Sequence, residues 1–206
     1  LRREWIEVGG GNKSRVSAFI DGALARRGWS ERQFRTGIVV DDSLTESPTH
    51  KVDCFKNGIG LEIEWNNKDP FFDRDLENFQ RLHAQSIISA GVIVTRGAAL
   101  QDHMARVIED YLRQAQIADE APLLRLGMKE RTVRQRQSVQ RAMGAGMDFP
   151  QSFSRFFVAD KFGMATTHWK KLEDRVQRGV GNPCPLLLIG LPRDAITPYS
   201  AATPEL

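Results

Sequence analysis

The dipeptide Asn57-Gly58 lies between two runs, Lys51 to Lys56 and Ile59 to Trp65, in which apolar and polar residues alternate. Asn-Gly suits the two central positions of a type I′ turn, whose twist matches that of paired antiparallel strands, so this stretch has one strong local solution, a β-hairpin. With the dipeptide at the tip, Lys56 faces Ile59, and stepping outward sets Asp53 opposite Glu62 and Lys51 opposite Glu64. Side chains two apart on a strand share a face. One face of the hairpin therefore carries Val52, Cys54, Ile59, Leu61 and Ile63, and the other carries Asp53, Glu62 and Glu64.

Directly opposed carboxylates have Cβ atoms roughly 5 Å apart and destabilise a sheet. Such a face either meets water or is neutralised by a proton or a cation. Carboxylates that converge with only oxygen donors suit Mg²⁺, which takes a few protein oxygens and completes its octahedron with water and substrate phosphate. The backbone carbonyl of Ile63, between the two glutamates, is a further candidate ligand.

Around the hairpin the periodicity predicts a helix capped by Ser14, with Val16, Phe19, Ile20, Ala23 and Leu24 on one stripe and Gly28 as its stop. Gly37 to Val40 reads as a short strand, with Glu46-Ser47-Pro48 in the loop after it. A helix is expected from near Asp73 to about Ser89 through Leu76, Phe79, Leu82 and Ile87, followed by a strand at Val92-Ile93-Val94. Further helices are expected over 99–114 and within 125–143, and a late strand at Leu186 to Ile189. This order gives an α/β fold with a mixed central sheet flanked by helices. With 206 residues and no repeat or evident linker, a single domain is expected over 1–206, its core at about 14–95 and additional elements at about 99–206. No window approaches the length of uncharged apolar residues that a membrane span needs, and the start Leu-Arg-Arg-Glu-Trp does not resemble a secretory signal. Cys54 and Cys184 lack metal-ligand spacing and read as reduced thiols of a cytoplasmic protein.

The overall balance is +3, yet residues 41–77 hold ten acids and four bases. Between Arg125 and Arg141 the balance reverses, with Arg125, Lys129, Arg131, Arg134, Arg136 and Arg141 against Glu130 alone. Phosphate contact is plausible at that basic stretch, with Arg134 and Arg136 as its candidates. The acidic centre suits a cation site acting on a polyanion, although solvated faces alone would also account for it.

The run Val52-Asp53, eight further residues and then Glu62-Ile63-Glu64 resembles the PD-(D/E)XK nuclease signature, and the order helix, hairpin, helix, strand resembles that fold's core. Four blocks resemble the type II restriction endonucleases related to BglII and BstYI: Gly60 to Leu76 (GLEIEWNNKDPFFDRDL), Gly91 to Arg96 (GVIVTR), Lys161 to His168 (KFGMATTH) and Pro183 to Gly190 (PCPLLLIG), with a weaker echo at Ala23 to Trp29. The resemblance implies a restriction-endonuclease-like fold that cleaves double-stranded DNA at a short palindromic site and leaves a 5′-phosphate. It implies that Asp53 and Glu62 bind the catalytic Mg²⁺, with Mn²⁺ as a substitute, and that the residue two beyond Glu62 completes the site. That residue is Lys in many of these enzymes and can be Gln in the BglII-like group; here it is Glu64, which leaves metal ligand, general base and holder of the attacking water as alternative roles. A palindromic site requires two equivalent readers, hence a homodimer. A repair or methylation-dependent nuclease on the same fold, or a DNA-binding module without cleavage, are the other readings. A binder gains nothing from three acids facing phosphate.

Asn66, Asn67 and Lys68 directly follow the acidic strand and are suitable base readers. Thr166, Thr167 and His168 follow Gly163, in the segment that the resemblance brings to the major groove. Gly9-Gly10-Gly11-Asn12-Lys13-Ser14 lacks the glycine spacing of a phosphate loop and reads as a turn before a helix cap. His50, His83 and His103 show no common metal spacing, and Trp5, Trp29, Trp65 and Trp169 read as packing residues.

Overall fold

The Asn57-Gly58 hairpin forms the middle of a five-stranded sheet. The structure is a computed structural model that describes residues 14–196; the Gly9 to Lys13 stretch and Trp5 lie outside the described residues. Strands β1 (Ser30–Arg32), β2 (Arg35–Val40), β3 (Ser43–Pro48), β4 (Val52–Lys56), β5 (Ile59–Glu64), β6 (Ala90–Arg96) and β7 (Leu186–Leu191) follow in sequence. The large sheet has the order β1-β4-β5-β6-β7, and β2 with β3 forms a separate two-stranded sheet. Cys54 pairs with Leu61, Phe55 with Gly60 and Lys56 with Ile59, which is the register the turn dipeptide predicts. β5 and β6 are parallel, so the sheet is mixed. The return between them runs through a helix, as a parallel connection requires.

The helices are α1 (Arg15–Ala25), α2 (Phe71–Ala84), α3 (Ala98–Gln114), α4 (Ala121–Arg125), α5 (Val133–Gly144), α6 (Phe149–Lys161) and α7 (Trp169–Gln177). The chain divides into two compact units, one comprising Val16–Arg96 with Thr167–Gly190 and the other built around Gly97–Thr166. In the sheet-bearing unit, Phe72, Leu76, Phe79 and Leu82 of α2 join Val52, Ile93, Leu172 and Cys184 in one buried cluster. Gly60 and Gly91 are neighbours across β5 and β6. Together they open a recess for the Phe79 ring: a Cβ at Gly60 would stand 2.9 Å from Phe79 Cε1, and one at Gly91 would overlap the ring. Helix α2 is thereby seated close against the strand that carries Glu62 and Glu64.

The helical unit is organised around α6, which packs against α3 and α5. Asp148 caps α6 by accepting from the Gln151 N–H, and Thr132 and Gln135 form a capping box at the start of α5. Phe149, Phe153 and Phe157 follow one another along α6 with ring centroids 5.4 and 5.3 Å apart.

Several expectations are corrected. Glu46-Ser47-Pro48 is the end of strand β3 and not a loop, because Asp41 and Asp42, at φ 45° and 64°, make the tight turn that joins β2 to β3 without glycine. Helix α2 starts before Asp73 and stops at Ala84, so Ile87 follows the helix; Ser86, at φ 57°, turns the chain out of it. Phe19 is 69% exposed and does not join a buried stripe. Val52 belongs to the cluster beneath α2 and Lys51 pairs with Glu31, because the ladder between β1 and β4 shifts by one residue between its Ser30–Phe55 and Arg32–Val52 pairs.

Candidate active site

That shift is a bulge at Asp53 and Cys54, and a bulge re-aims the side chains at its position. The regular β4–β5 pairing runs only as far as Cys54 and Leu61. Beyond it the two acids replace the backbone ladder: the Asp53 N–H donates to Glu62 Oε2 at 3.4 Å, and the Ile63 N–H donates to Asp53 Oδ2 at 3.2 Å. Since the N–H and C=O of one residue point to the same neighbouring strand in an antiparallel pair, the Ile63 carbonyl is directed to the β4 side as well.

Asp53 is half-buried, while Glu62 and Glu64 are each 2% exposed, so this acidic face does not simply meet water. Helix α2 covers it and adds a carboxylate that the sequence reading missed, Asp75, which is also buried. The Arg74 guanidinium binds Asp75 Oδ1 through Nε at 2.8 Å and Nη2 at 2.6 Å, and Nη2 lies 3.7 Å from Glu64 Oε1. Asn67 Nδ2 donates to Glu64 Oε2 at 2.8 Å.

Burial, and then the charge of Asp75, push Glu62 well above the ordinary carboxylate range, with Asp53 and Glu64 adding to the effect. Glu64 is pushed up to about 9, again by burial first and then by the charge of Asp75 and a hydrogen bond to it. Asp75 is raised by burial against the opposing pull of Arg74. Both carboxyls of this buried pair are thus held above their ordinary range, and Asp75 Oδ2 is buried without a hydrogen-bond partner. Burial works against the Arg74 charge, but Asp75 and Glu64 outweigh it and hold that group above its usual value. Glu62 Oε1 is buried without a hydrogen-bond partner.

Among the described residues no three His, Cys, Asp or Glu side chains form a ready cage for a cation. Mg²⁺ does not need one, since it keeps waters and takes one or two carboxylates together with substrate phosphate. Asp53, the unpartnered oxygen of Glu62 and the Ile63 carbonyl fit that requirement.

The residues next to this strand are tied to it. Thr167 donates its N–H to the Asn67 carbonyl at 2.9 Å, and its Oγ accepts from the Asn67 N–H at 3.1 Å. Buried Arg96 donates to the Thr167 carbonyl through Nε at 3.2 Å and Nη2 at 2.6 Å. Lys171 and Arg175 of α7 pair with Asp69 and Asp73 at 3.3 and 2.9 Å. Thr167 and His168 are therefore interior residues, 0% and 2% exposed. Burial, with the charges of Arg96 and Lys171, holds His168 below its ordinary pKa. Asn67 and Lys68 are exposed and Asn66 is half-buried. Thr166 is half-buried in the helical unit, with its hydroxyl donating to the Gly163 carbonyl at 2.8 Å. Arg134 and Arg136 also belong to the helical unit; Arg134 is exposed and Arg136 pairs with Glu130 at 2.6 Å. Arg131, by contrast, is buried against Phe153 and bound to Asp160, which takes it out of the basic surface.

His83 and His103 donate through Nδ1 to the Ile88 and Ala99 carbonyls, and Trp65 is buried beneath Arg96. Both cysteines are buried thiols, and Cys54 Sγ donates to Asp21 Oδ1 at 3.2 Å.

The family model for restriction endonuclease BglII/BglIII matches residues 1–191. The chain belongs to this family. As a BglII/BglIII-type restriction endonuclease it is a nuclease of double-stranded DNA that cleaves site-specifically, and enzymes of this kind generally use divalent metal ions. Comparison with curated proteins gives no match. No helix among the described residues is long and apolar enough to cross a membrane.

Proposed function

We propose that the chain is a type II, Mg²⁺-dependent deoxyribonuclease, with Mn²⁺ as a substitute, that cuts a short palindromic site and leaves 5′-phosphates. It acts in the cytoplasm as a homodimer of single-domain protomers, each carrying one active site. The observation that supports this most is the pair Asp53 and Glu62: each gives one oxygen to the hairpin backbone, and Glu62 keeps a second, buried oxygen without a partner. Burying a carboxylate oxygen in that condition is costly unless something compensates it.

Asp53 and Glu62, with the Ile63 carbonyl, would hold the cation, which when bound neutralises phosphate charge and lowers the pKa of water. In the cleavage step a water oxygen bonds to phosphorus and the bond from phosphorus to O3′ breaks. The departing O3′ takes up a proton, and the water gives one up. Glu64, fixed through Asn67, orients that water or, where a bound cation replaces its own proton, accepts the water's. Asn66, Asn67 and Lys68, at the end of the acidic strand, read base edges, and Thr166, in the helical unit, is a separate candidate for base contact. Thr167 and His168, from their buried positions, hold that reading surface in place. Arg134 and Arg136 meet phosphates and contribute affinity without sequence preference.

Sequencing the ends of a plasmid digest made with Mg²⁺ tests this reading. Discrete fragments with 5′-phosphates are expected, and Asp53→Asn or Glu62→Gln should abolish cutting while retaining binding to the same site. Cleavage that survives excess EDTA overturns the metal mechanism, and full activity in Glu62→Gln overturns the residue assignment.

A further inference from the structure

The position two beyond Glu62, which is Lys in many PD-(D/E)XK enzymes, is an acid here, so the acidic strand brings no cation of its own to the reaction. Phosphodiester hydrolysis concentrates negative charge on the non-bridging oxygens, and positioned cationic donors are among the strongest means of stabilising it. Among the described residues the neighbourhood holds four carboxylates, Asp53, Glu62, Glu64 and Asp75, and one cation set directly among them, Arg74. Its guanidinium is bound to Asp75 and lies 3.7 Å from Glu64. Its side chain is 35% exposed, whereas those of Glu64 and Asp75 are 2% exposed, so Arg74 reaches from the buried acids to the surface that DNA must approach. The Phe71 ring lies 4.3 Å below the guanidinium carbon and limits its swing. Nε and Nη2 are held by Asp75, and Nη1 makes no hydrogen bond among the described residues.

We propose that Arg74 is a catalytic residue, the cation that contacts the scissile phosphate in place of the missing Lys. A planar fork anchored at one end on a carboxylate presents its remaining N–H groups in a fixed direction, which suits phosphate oxygens. Asp75 is then a positioning residue that acts through Arg74. The role rests on the nuclease reading above and extends it.

The test uses duplexes carrying the cut site mapped by end sequencing, either with an ordinary scissile phosphate or with an uncharged methylphosphonate there, bound in EDTA by wild type, Arg74→Gln and Arg74→Lys. A charge-assisted bond to that phosphate predicts that the ratio of affinities, charged over uncharged, falls about ten- to hundredfold in Arg74→Gln and less in Arg74→Lys. Single-turnover cleavage at saturating Mg²⁺ should fall about 10²- to 10³-fold in Arg74→Gln, as for loss of one transition-state donor. The double variant Arg74→Gln/Asp75→Asn leaves no buried charge without its partner, and it should show the same ratio as the single variant if folding is the concern. An unchanged ratio in a folded variant of an enzyme that cuts overturns the role of Arg74 alone. A wild-type chain that cuts no duplex overturns the nuclease reading, and this role with it.

Discussion

Replacing Glu64 with Gln should make the metal-free protein less sensitive to rising pH. Glu64 has its folded pKa raised from 4.5 to about 9, so between those values the folded state holds a proton that the unfolded state has released. The stabilising contribution is complete below the unfolded value and is lost as pH rises toward the folded one, with a slope of up to about 1.4 kcal/mol per pH unit. From about pH 5.5 to about pH 8 that amounts to roughly 3 kcal/mol, or roughly 6–12 °C in Tm for a chain of this length. Glu62 and Asp75 are raised as well and add slopes of the same sign to both proteins, so the quantity to read is the difference between them. Gln retains an acceptor for Asn67 and an N–H for Asp75 but carries no titrating proton. Urea unfolding in EDTA, followed by tryptophan fluorescence across that pH range, should show the variant gaining on wild type steadily as pH rises. Excess Mg²⁺ should shrink the gap, because a bound cation replaces the proton as the neutralising charge. A difference between the two proteins that stays constant with pH would refute the reasoning.

Two other measurements probe the surroundings. Gly91→Ala should cost about 1–3 kcal/mol in unfolding free energy, because the new methyl enters the Phe79 ring's space, and adding Phe79→Leu should recover part of it; additive losses would show that the ring is not what the glycine accommodates. Arg134→Gln should weaken binding to specific and random duplexes alike and reduce the salt dependence by about one unit of slope, and a selective loss on the specific site would move Arg134 from phosphate contact to base reading.

The hairpin was legible because a two-residue turn fixes register, and register fixes which side chains stand opposite each other. What the turn could not reveal is the bulge at Asp53, which depends on pairing with Ser30–Arg32, a strand too short to show periodicity. The β2–β3 turn escaped because Asp41-Asp42 lacks the glycine that usually marks positive φ. Helix α6 has a start that the sequence itself marks, with Asp148 as cap and Pro150 in the first turn. Asp75 belongs to no motif, and an acid near a helix start is ordinarily solvated. Yet it lies three residues after Phe72 and four before Phe79, on the apolar stripe itself, and an acid in that place is a signal. Arg134 and Arg136 carried a charge pattern, but whether a basic side chain is free or paired depends on tertiary neighbours, as the buried Arg131 illustrates.

The reciprocal bonds between the hairpin acids affect how the site can be studied and how it can change. Because Asp53 accepts from the Ile63 amide and Glu62 from the Asp53 amide, alanine at either position deletes a carboxyl group and at the same moment strands a backbone donor. A truncation scan would record that scaffold damage as lost chemistry. Amide replacements separate the two, since Asn and Gln still accept from the same N–H groups. The same arithmetic governs divergence: one oxygen exchanged for nitrogen at each position leaves the hairpin closed and the fold unharmed. Within this family a silent DNA-binding descendant is thus only two conservative substitutions away, and its sequence would look almost unchanged.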